Sequence, residues 1–599
     1  MKTIKSGMMS GCEAAPFERG VLSTPRRASW VRPPASLAEP PPKNLEQALQ
    51  RLKAQQPAHP YAAHVASALN RMADVIGKPL ARISTEPIPL RQMMAEALPA
   101  SVGMGQRRWL RICSLVNTYL RTTGIELEPN RSIVSRSPAW QDLQSRASKS
   151  DALATSRFAS FCTRHGVEPN DVTPGTFEAF GQAMRARSLR ENPEAIVRNT
   201  IRHWNRAAAK TEGWPQLEIQ QQRHARFYSL PWDAYPESFR KDVDAYLSVQ
   251  SNVSVFSREY RTPIAPSTLA LRLRQFRLCA ALLVESGFPA EQLTSLDILV
   301  RPENVEAALQ RHVDRKDGQT GHSLVQLANL LAGVGERRLE DAAQAKLLRI
   351  YANNLAMSRV KQRGRTGMTK RNREALRQFD VAGNRKALLM LPDRVFAEGS
   401  QQTTPTAAQA RRVMLAMAVE LLLASALRGA NLVALEVERH FSDIRQGRVV
   451  VRHLVIPAAE MKGNEDFEMP LPDRTRDMLD EYLAIYWPVL APEGSPFLFP
   501  GKAGRGRDKI HFAEAVSSFI LRETGLKMHL HLFRHLAVKL HLDSHPDDIE
   551  TPRRFLQHKS SKTTLTHYAE VRSERAFATH HQTLADQRKR GGERHAARG

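Results

Sequence analysis

The chain has 599 residues with 42% hydrophobic content, which permits real cores and is too long for a single one, so about three to five folded units are expected. Its 87 Lys and Arg against 61 Asp and Glu give a formal net charge of +26, which calls for a polyanionic partner, nucleic acid ahead of an anionic membrane surface. No apolar run approaches a membrane span, and the scattered Cys12, Cys113, Cys162 and Cys279 fit neither a disulfide framework nor a metal site, so a reducing cytoplasm is expected.

In chain order, residues 1–44 read as a disordered Pro-rich leader, since VRPPASLAEPPPK suits polyproline-like chain and no apolar signal core follows Lys2 and Lys5. Residues 45–135 read as a helical domain: Leu45, Leu49 and Leu52 begin one apolar face, Val65, Leu69 and Met72 continue the pattern, and Trp109, Ile112, Val116 and Leu120 form another stripe. A similar layout returns at 145–215 and again at 262–345, where Leu269, Leu273, Phe276, Ala280 and Leu283 form a stripe ending at Gly287 and Pro289. Three blocks of comparable size suggest repeated small helical domains, although any all-helical protein carries such stripes. Residues 216–265, with Pro231, Trp232, Pro236 and Pro263, read as a linker containing some helix.

Residues 346–385 read as a basic interdomain linker. Within it Arg359, Lys361, Arg363, Arg365, Lys370, Arg371 and Arg373 are candidate DNA-binding residues on a flexible strap along a phosphate backbone, where each neutralised phosphate releases a counterion. The rival is a solvated charge run. Residues 386–575 read as a catalytic domain. TPTAAQARRVMLAMAVELLLASAL predicts a long helix, RVVVRHLVIP and FEMPLP predict strands with Gly463 and Asn464 at a turn, and further helices are expected at 474–486 and 511–523, with strand-like PFLFPG between them. Residues 576–599 form a basic tail. The fold class expected is mainly α with a small β-sheet in the catalytic domain (α+β).

The stretch Met528–Val571 concentrates the chemistry. His531 and Arg534, three apart at a helix start, face one side of the first turn; His558 closes a short helix, and a Ser/Thr-rich link leads to Tyr568. An Arg can neutralise a phosphate oxygen, imidazoles can move protons near neutral pH, and a tyrosine hydroxyl can act as nucleophile. His531 and His535 are also four apart, but Leu532 stands where a zinc-protease helix carries its glutamate, which argues against metal.

The order H-x-x-R-H, L-x-H, T-H-Y resembles the active-site boxes of the tyrosine recombinases, the phage-integrase family of DNA strand-exchange enzymes. The resemblance covers about residues 262–575, with specific motifs only after about 420. It implies that Arg428, in LLLASALRGANLVALEV, is the first-box arginine and Lys462, in VIPAAEMKGNEDF, the β-hairpin lysine. It further implies that the third helical block is a core-binding domain, of which the first two would be extra DNA-binding copies.

The implied reaction is transesterification of double-stranded DNA without metal, ATP or other cofactor. Tyr568 attacks a phosphodiester, Arg428, Arg534 and His558 stabilise the transition state, Lys462 protonates the leaving oxygen and His531 accepts the tyrosine proton. The expected protein is a site-specific recombinase or integrase of a mobile element, a homotetramer on two DNA sites, alone or with partner recombinases. Its rivals are a type IB topoisomerase-like enzyme and a catalytically inactive DNA-binding protein of the same fold. Three features depart from the family pattern: Asn431 stands for an acidic residue, Gln557 for a glycine, and the His558-to-Tyr568 gap is one residue longer. His535 reads as structural, and His529, His541 and His567 as incidental.

Overall fold

The structure, a computed structural model, describes residues 40–55, 59–129, 136–220, 229–251, 263–363, 368–400, 404–447, 449–491, 494–557 and 580–587. The chain divides into two compact units, one built from residues up to 97 and 107–218, the other from 98–106 and 219 onward. Most of the expected leader and tail lies outside the described residues. Cys113, Cys162 and Cys279 are free thiols, and no described helix is long and apolar enough to cross a membrane.

The first unit is helical: α1 (Leu45–Ala54), α2 (Ala62–Ile76), α3 (Pro87–Glu96), α4 (Gln106–Thr122), α5 (Pro138–Arg146), α6 (Lys149–Arg164), α7 (Pro174–Arg187) and α8 (Pro193–Ala208). Residues at helical spacing become its core, with Leu45, Val65, Leu69, Met72, Val116 and Leu120 buried in α1, α2 and α4. Aromatic rings fill the space among α5 to α8: Phe158 stacks on Phe177 at 4.1 Å and meets Trp204 edge-on at 5.7 Å. The expected division into two domains does not hold. Arg91 on α3 donates to the Arg185 and Ser188 carbonyls at the end of α7, both at 2.9 Å, and the Glu128 N–H donates to the Arg187 carbonyl, so the two blocks form one unit.

The second unit begins with α9 (Glu237–Ser251), α10 (Pro266–Glu285), α11 (Leu296–Leu299), α12 (Pro302–Asp314), α13 (His322–Arg338) and α14 (Ala342–Arg363). Here the expected boundary at 262 moves. Tyr235, Phe239, Val243 and Leu247 share a core with Phe276, Leu283, Leu331 and Leu348, and Arg338 on α13 pairs with Asp242 at 2.6 Å. The Pro/Trp-rich stretch read as linker therefore supplies a helix of this domain, and Trp232 lies under the Arg277 guanidinium. Helices α13 and α14 touch closely because Gly335 has no side chain: a Cβ there would lie 2.5 Å from Leu348 Cδ1.

A fragment starting at 229 should keep this domain folded, whereas one starting near Ser257 should lose it. Truncating one buried aromatic costs about 3–5 kcal/mol, so losing both Tyr235 and Phe239 approaches a typical total stability of about 5–15 kcal/mol. Circular dichroism and hydrogen exchange of the two fragments check this; equal protection of α10 in both would refute it.

The basic stretch is mostly helix rather than strap. Arg359 and Lys361 end α14, and Lys370, Arg371 and Arg373 lie on α15 (Lys370–Arg377), which Thr369 caps. The side chains of Arg363 and Arg365 lie outside the described residues. Leu376 and Phe379 are already buried in the core of the carboxy-terminal domain, so that domain begins before 386.

It continues through α16 (Ala382–Leu389), α17 (Leu391–Gly399), α18 (Ala407–Ser425), α19 (Gly429–Val433) and α20 (Val437–His440) to an antiparallel sheet of β1 (Phe441–Gln446), β2 (Val449–Ile456) and β3 (Phe467–Pro470), in that spatial order. Strand β1, which pairs Phe441 with Leu454, was not expected from the sequence. Then follow α21 (Asp473–Glu481), α22 (Trp487–Leu490), α23 (Lys509–Thr524), α24 (Leu530–Ser544) and α25 (Glu550–Phe555). PFLFPG contributes only two isolated bridges, Phe497 with Glu436 and Pro500 with Gly506. Helix α18 is the axis: a Thr406–Gln409 capping box starts it, and Ala410, Val413, Met414, Met417, Leu421 and Leu422 bury nearly its whole circumference. Residues 98–106 fold with this unit, with Ala100 buried in its core and its carbonyl accepting from Asn384 Nδ2 at 2.7 Å.

Candidate active site

The first arginine box is shaped by the end of α18. Ala426 caps the helix in the left-handed region at φ 48°, its N–H bonded to the Leu422 carbonyl, which turns the chain away so that Arg428 precedes α19 instead of extending α18. Arg428 is partly exposed and makes no side-chain hydrogen bond to a described residue. Gly429 then lets α19 approach the start of α24, since a Cβ there would lie 2.8 Å from Leu530 Cδ2.

Helix α24 carries the H-x-x-R-H motif. His531 is exposed in its first turn and packs edge-on against His535, with ring centroids 4.9 Å apart. Arg534, three residues on, is buried at 5% exposure. Its Nη1 donates to the Ala426 carbonyl and its Nη2 to the Leu556 carbonyl, both at 2.7 Å. One planar guanidinium thus joins the strand of chain two residues before Arg428 to the one two residues before His558.

Lys462 is exposed in the turn between β2 and β3. The Glu460 carboxylate accepts from His440 Nε2 at 3.1 Å and pairs with Arg439; His440 is 2% exposed, and its Nδ1 accepts from the Glu436 N–H at 2.9 Å, which fixes the tautomer. Buried Met461 plugs the turn into the core.

Among the described residues, Arg428, Lys462, His531 and Arg534 are therefore carried on elements that pack into one core, while His558 and Tyr568 lie outside the described residues. Residues 400–575 match the phage integrase family. The carboxy-terminal domain of the chain is thus similar to that family over most of its length. The tyrosine recombinase XerD of Brucella abortus biovar 1 (strain 9-941) is 26% identical to it over 298 residues, covering 47% of this chain and 90% of that protein. XerD of Brucella suis biovar 1 (strain 1330) matches with the same figures. Among solved structures, the chain is similar to the XerH site-specific recombinase bound to palindromic difH substrate in a post-cleavage complex, at 15% identity and TM-score 0.30, covering 57% of this chain and 93% of that one. It is also similar to a lambda integrase dimer bound to a COC′ core site, at 14% identity and TM-score 0.27, covering 64% and 88%. Tyrosine recombinases cleave and rejoin DNA strands.

Helix α24 owes its start to a histidine that the sequence marks as incidental. His529 is the N-cap: its Nδ1 accepts from the Leu532 N–H at 3.2 Å, and its Nε2 donates to Asn372 Oδ1 on α15 at 3.1 Å. Histidine is not a usual cap, so the sequence carried no such signal. His541 likewise bonds Asp548, while His567 lies outside the described residues. Burial, and then the charge of Arg371, lower the pKa of His529 from its ordinary 6.5. A lowered histidine pKa means the unfolded chain takes up the proton first. The contribution is therefore complete above pH 6.5 and is lost as the pH falls toward the lowered value. His529→Ala should lower stability by about 1 kcal/mol at pH 8 and flatten the decline of melting temperature between pH 7 and 5. Parallel melting curves for the two proteins across that range would refute the assignment.

Proposed function

We propose that this protein is a site-specific tyrosine recombinase of a mobile genetic element, working as a homotetramer on two duplexes through a 3′-phosphotyrosine intermediate. The Tyr568 oxygen attacks the phosphorus, its proton passes to His531, the bond to the 5′ oxygen breaks and Lys462 protonates that oxygen. Arg428, Arg534 and His558 lower the energy of the crowded anionic phosphorane. The observation that supports this reading is the pair of hydrogen bonds from Arg534, which fastens the segments leading to Arg428 and to His558 onto one buried side chain. Arg359, Lys361, Lys370, Arg371 and Arg373 supply phosphate contacts, joined by Arg363 and Arg365. Exposed Arg107, Arg108 and Arg111 on α4 extend the footprint, so a fragment from 229 binds with a shallower salt dependence than the full chain.

The test is a nicked suicide duplex carrying DNA from either side of the gene, incubated with full-length protein and resolved under denaturing conditions. A covalent adduct on the 3′ side with a free 5′ hydroxyl is expected, followed by joining to a second duplex. An adduct with relaxation but no exchange would favour a type IB topoisomerase; binding without any adduct would favour an inactive DNA-binding protein.

A further inference from the structure

Two of the three positions at which the chain departs from the family pattern reach the same loop. The Asn431 amide, three residues after Arg428, donates to the Glu460 carbonyl at 3.2 Å and to Met461 Sδ at 3.1 Å. The Gln557 amide, next to His558, donates to the Asp466 carbonyl at 2.9 Å. Glu460 and Asp466 are the two legs of the turn that presents Lys462, and they are bridged within the turn because the Ala458 N–H donates to the Asp466 carboxylate at 2.7 Å. The residue types matter. A carboxylate at 431 has no N–H to give a carbonyl, and a glycine at 557 has no side chain at all. Gln557 makes its bond from the left-handed region, φ 50°, where glycine would be the easier residue.

We propose that Asn431 and Gln557 are a paired set of positioning residues that clamp both legs of the Lys462 turn, holding the lysine in register with Arg428 on one side and with the chain leaving α25 on the other. This rests on Lys462 being the general acid. The turn is then preformed, as a proton donor needs to be if it is to meet the leaving oxygen within hydrogen-bond reach. Elsewhere in the turn, Glu460 with His440 and Arg439 fixes the first leg to α20, so each amide adds a tie to a different catalytic segment.

The experiment compares full-length Asn431→Asp, Gln557→Gly, the double variant and Lys462→Ala. The probe is a nicked duplex selected from random DNA for covalent capture by the full-length chain, prepared with oxygen or with sulfur at the 5′ bridging position. Sulfur leaves without needing a proton. Each single clamp variant should cleave the oxygen substrate about 10- to 100-fold slower and regain most of the loss on sulfur, as Lys462→Ala does. Amides 458–466 should exchange faster in both, while Gln557→Gly melts no lower, having lost a left-handed side chain. Equal slowing on both substrates, or unchanged exchange in the turn, overturns the clamp. Failure of sulfur to rescue Lys462→Ala overturns the general-acid role beneath it.

Discussion

Tyr568→Phe should abolish covalent attachment to DNA while leaving noncovalent binding nearly intact. Removing the attacking oxygen of a covalent catalyst typically costs about 10⁶-fold in rate, which places the adduct below detection on a nicked substrate. Residues 400–575 contain three tyrosines, and the fold withholds the other two: Tyr482 is fully buried with its hydroxyl donating to the Leu498 carbonyl at 2.9 Å, and Tyr486 is 1% exposed. Burial raises the pKa of both phenols, further from a usable phenolate. A phenylalanine variant that still formed the adduct would require another nucleophile altogether.

Arg534→Lys should be nearly as damaging, by a different route. Lysine keeps the charge but offers a single ammonium on a flexible stem, and it cannot bridge the Ala426 and Leu556 carbonyls as the planar fork does. Each buried carbonyl left unpaired costs about 1–3 kcal/mol, and the segments bearing Arg428 and His558 lose their common anchor. The expected result is a melting temperature lower by several degrees together with cleavage slowed about 100-fold or more. A large loss of cleavage with an unchanged melting temperature would mean that Arg534 serves the phosphate alone and ties nothing together.

The boxes proposed to be catalytic are legible in the sequence because such chemistry demands particular residue types in a fixed order, and the elements bearing Arg428, Lys462, His531 and Arg534 have strong local signals. The long apolar run marks α18, and the β-branched run marks β2. What stayed hidden depends on partners distant in sequence. The fork of Arg534 spans 108 residues to Ala426, and the clamp of Gln557 spans 91 to Asp466; no local pattern encodes either. Helix α9 falls in a stretch that reads as a linker with some helix, because Pro231, Trp232 and Pro236 just before it look like punctuation until Phe276 and Leu283 are there to pack against. Strand β1 was missed since FSDIRQ is polar and gains its structure from pairing with β2. Helices α1 to α4 and α6 to α8 lie in the stretches read as helical while α5 falls between them, and the division into two blocks differs from the single unit observed, as periodicity reports a buried face and not what covers it.

The excursion of residues 98–106 also bears on how the protein is made. Ala100 leaves the ribosome 284 residues before its partner Asn384. At about 5–20 residues per second, that segment waits roughly 15 to 60 s with its binding place unmade, while helices on both sides of it in sequence are free to pack. Synthesis therefore imposes an order in which the amino-terminal helices can mature first and the carboxy-terminal core closes last, around a strand of chain delivered long before.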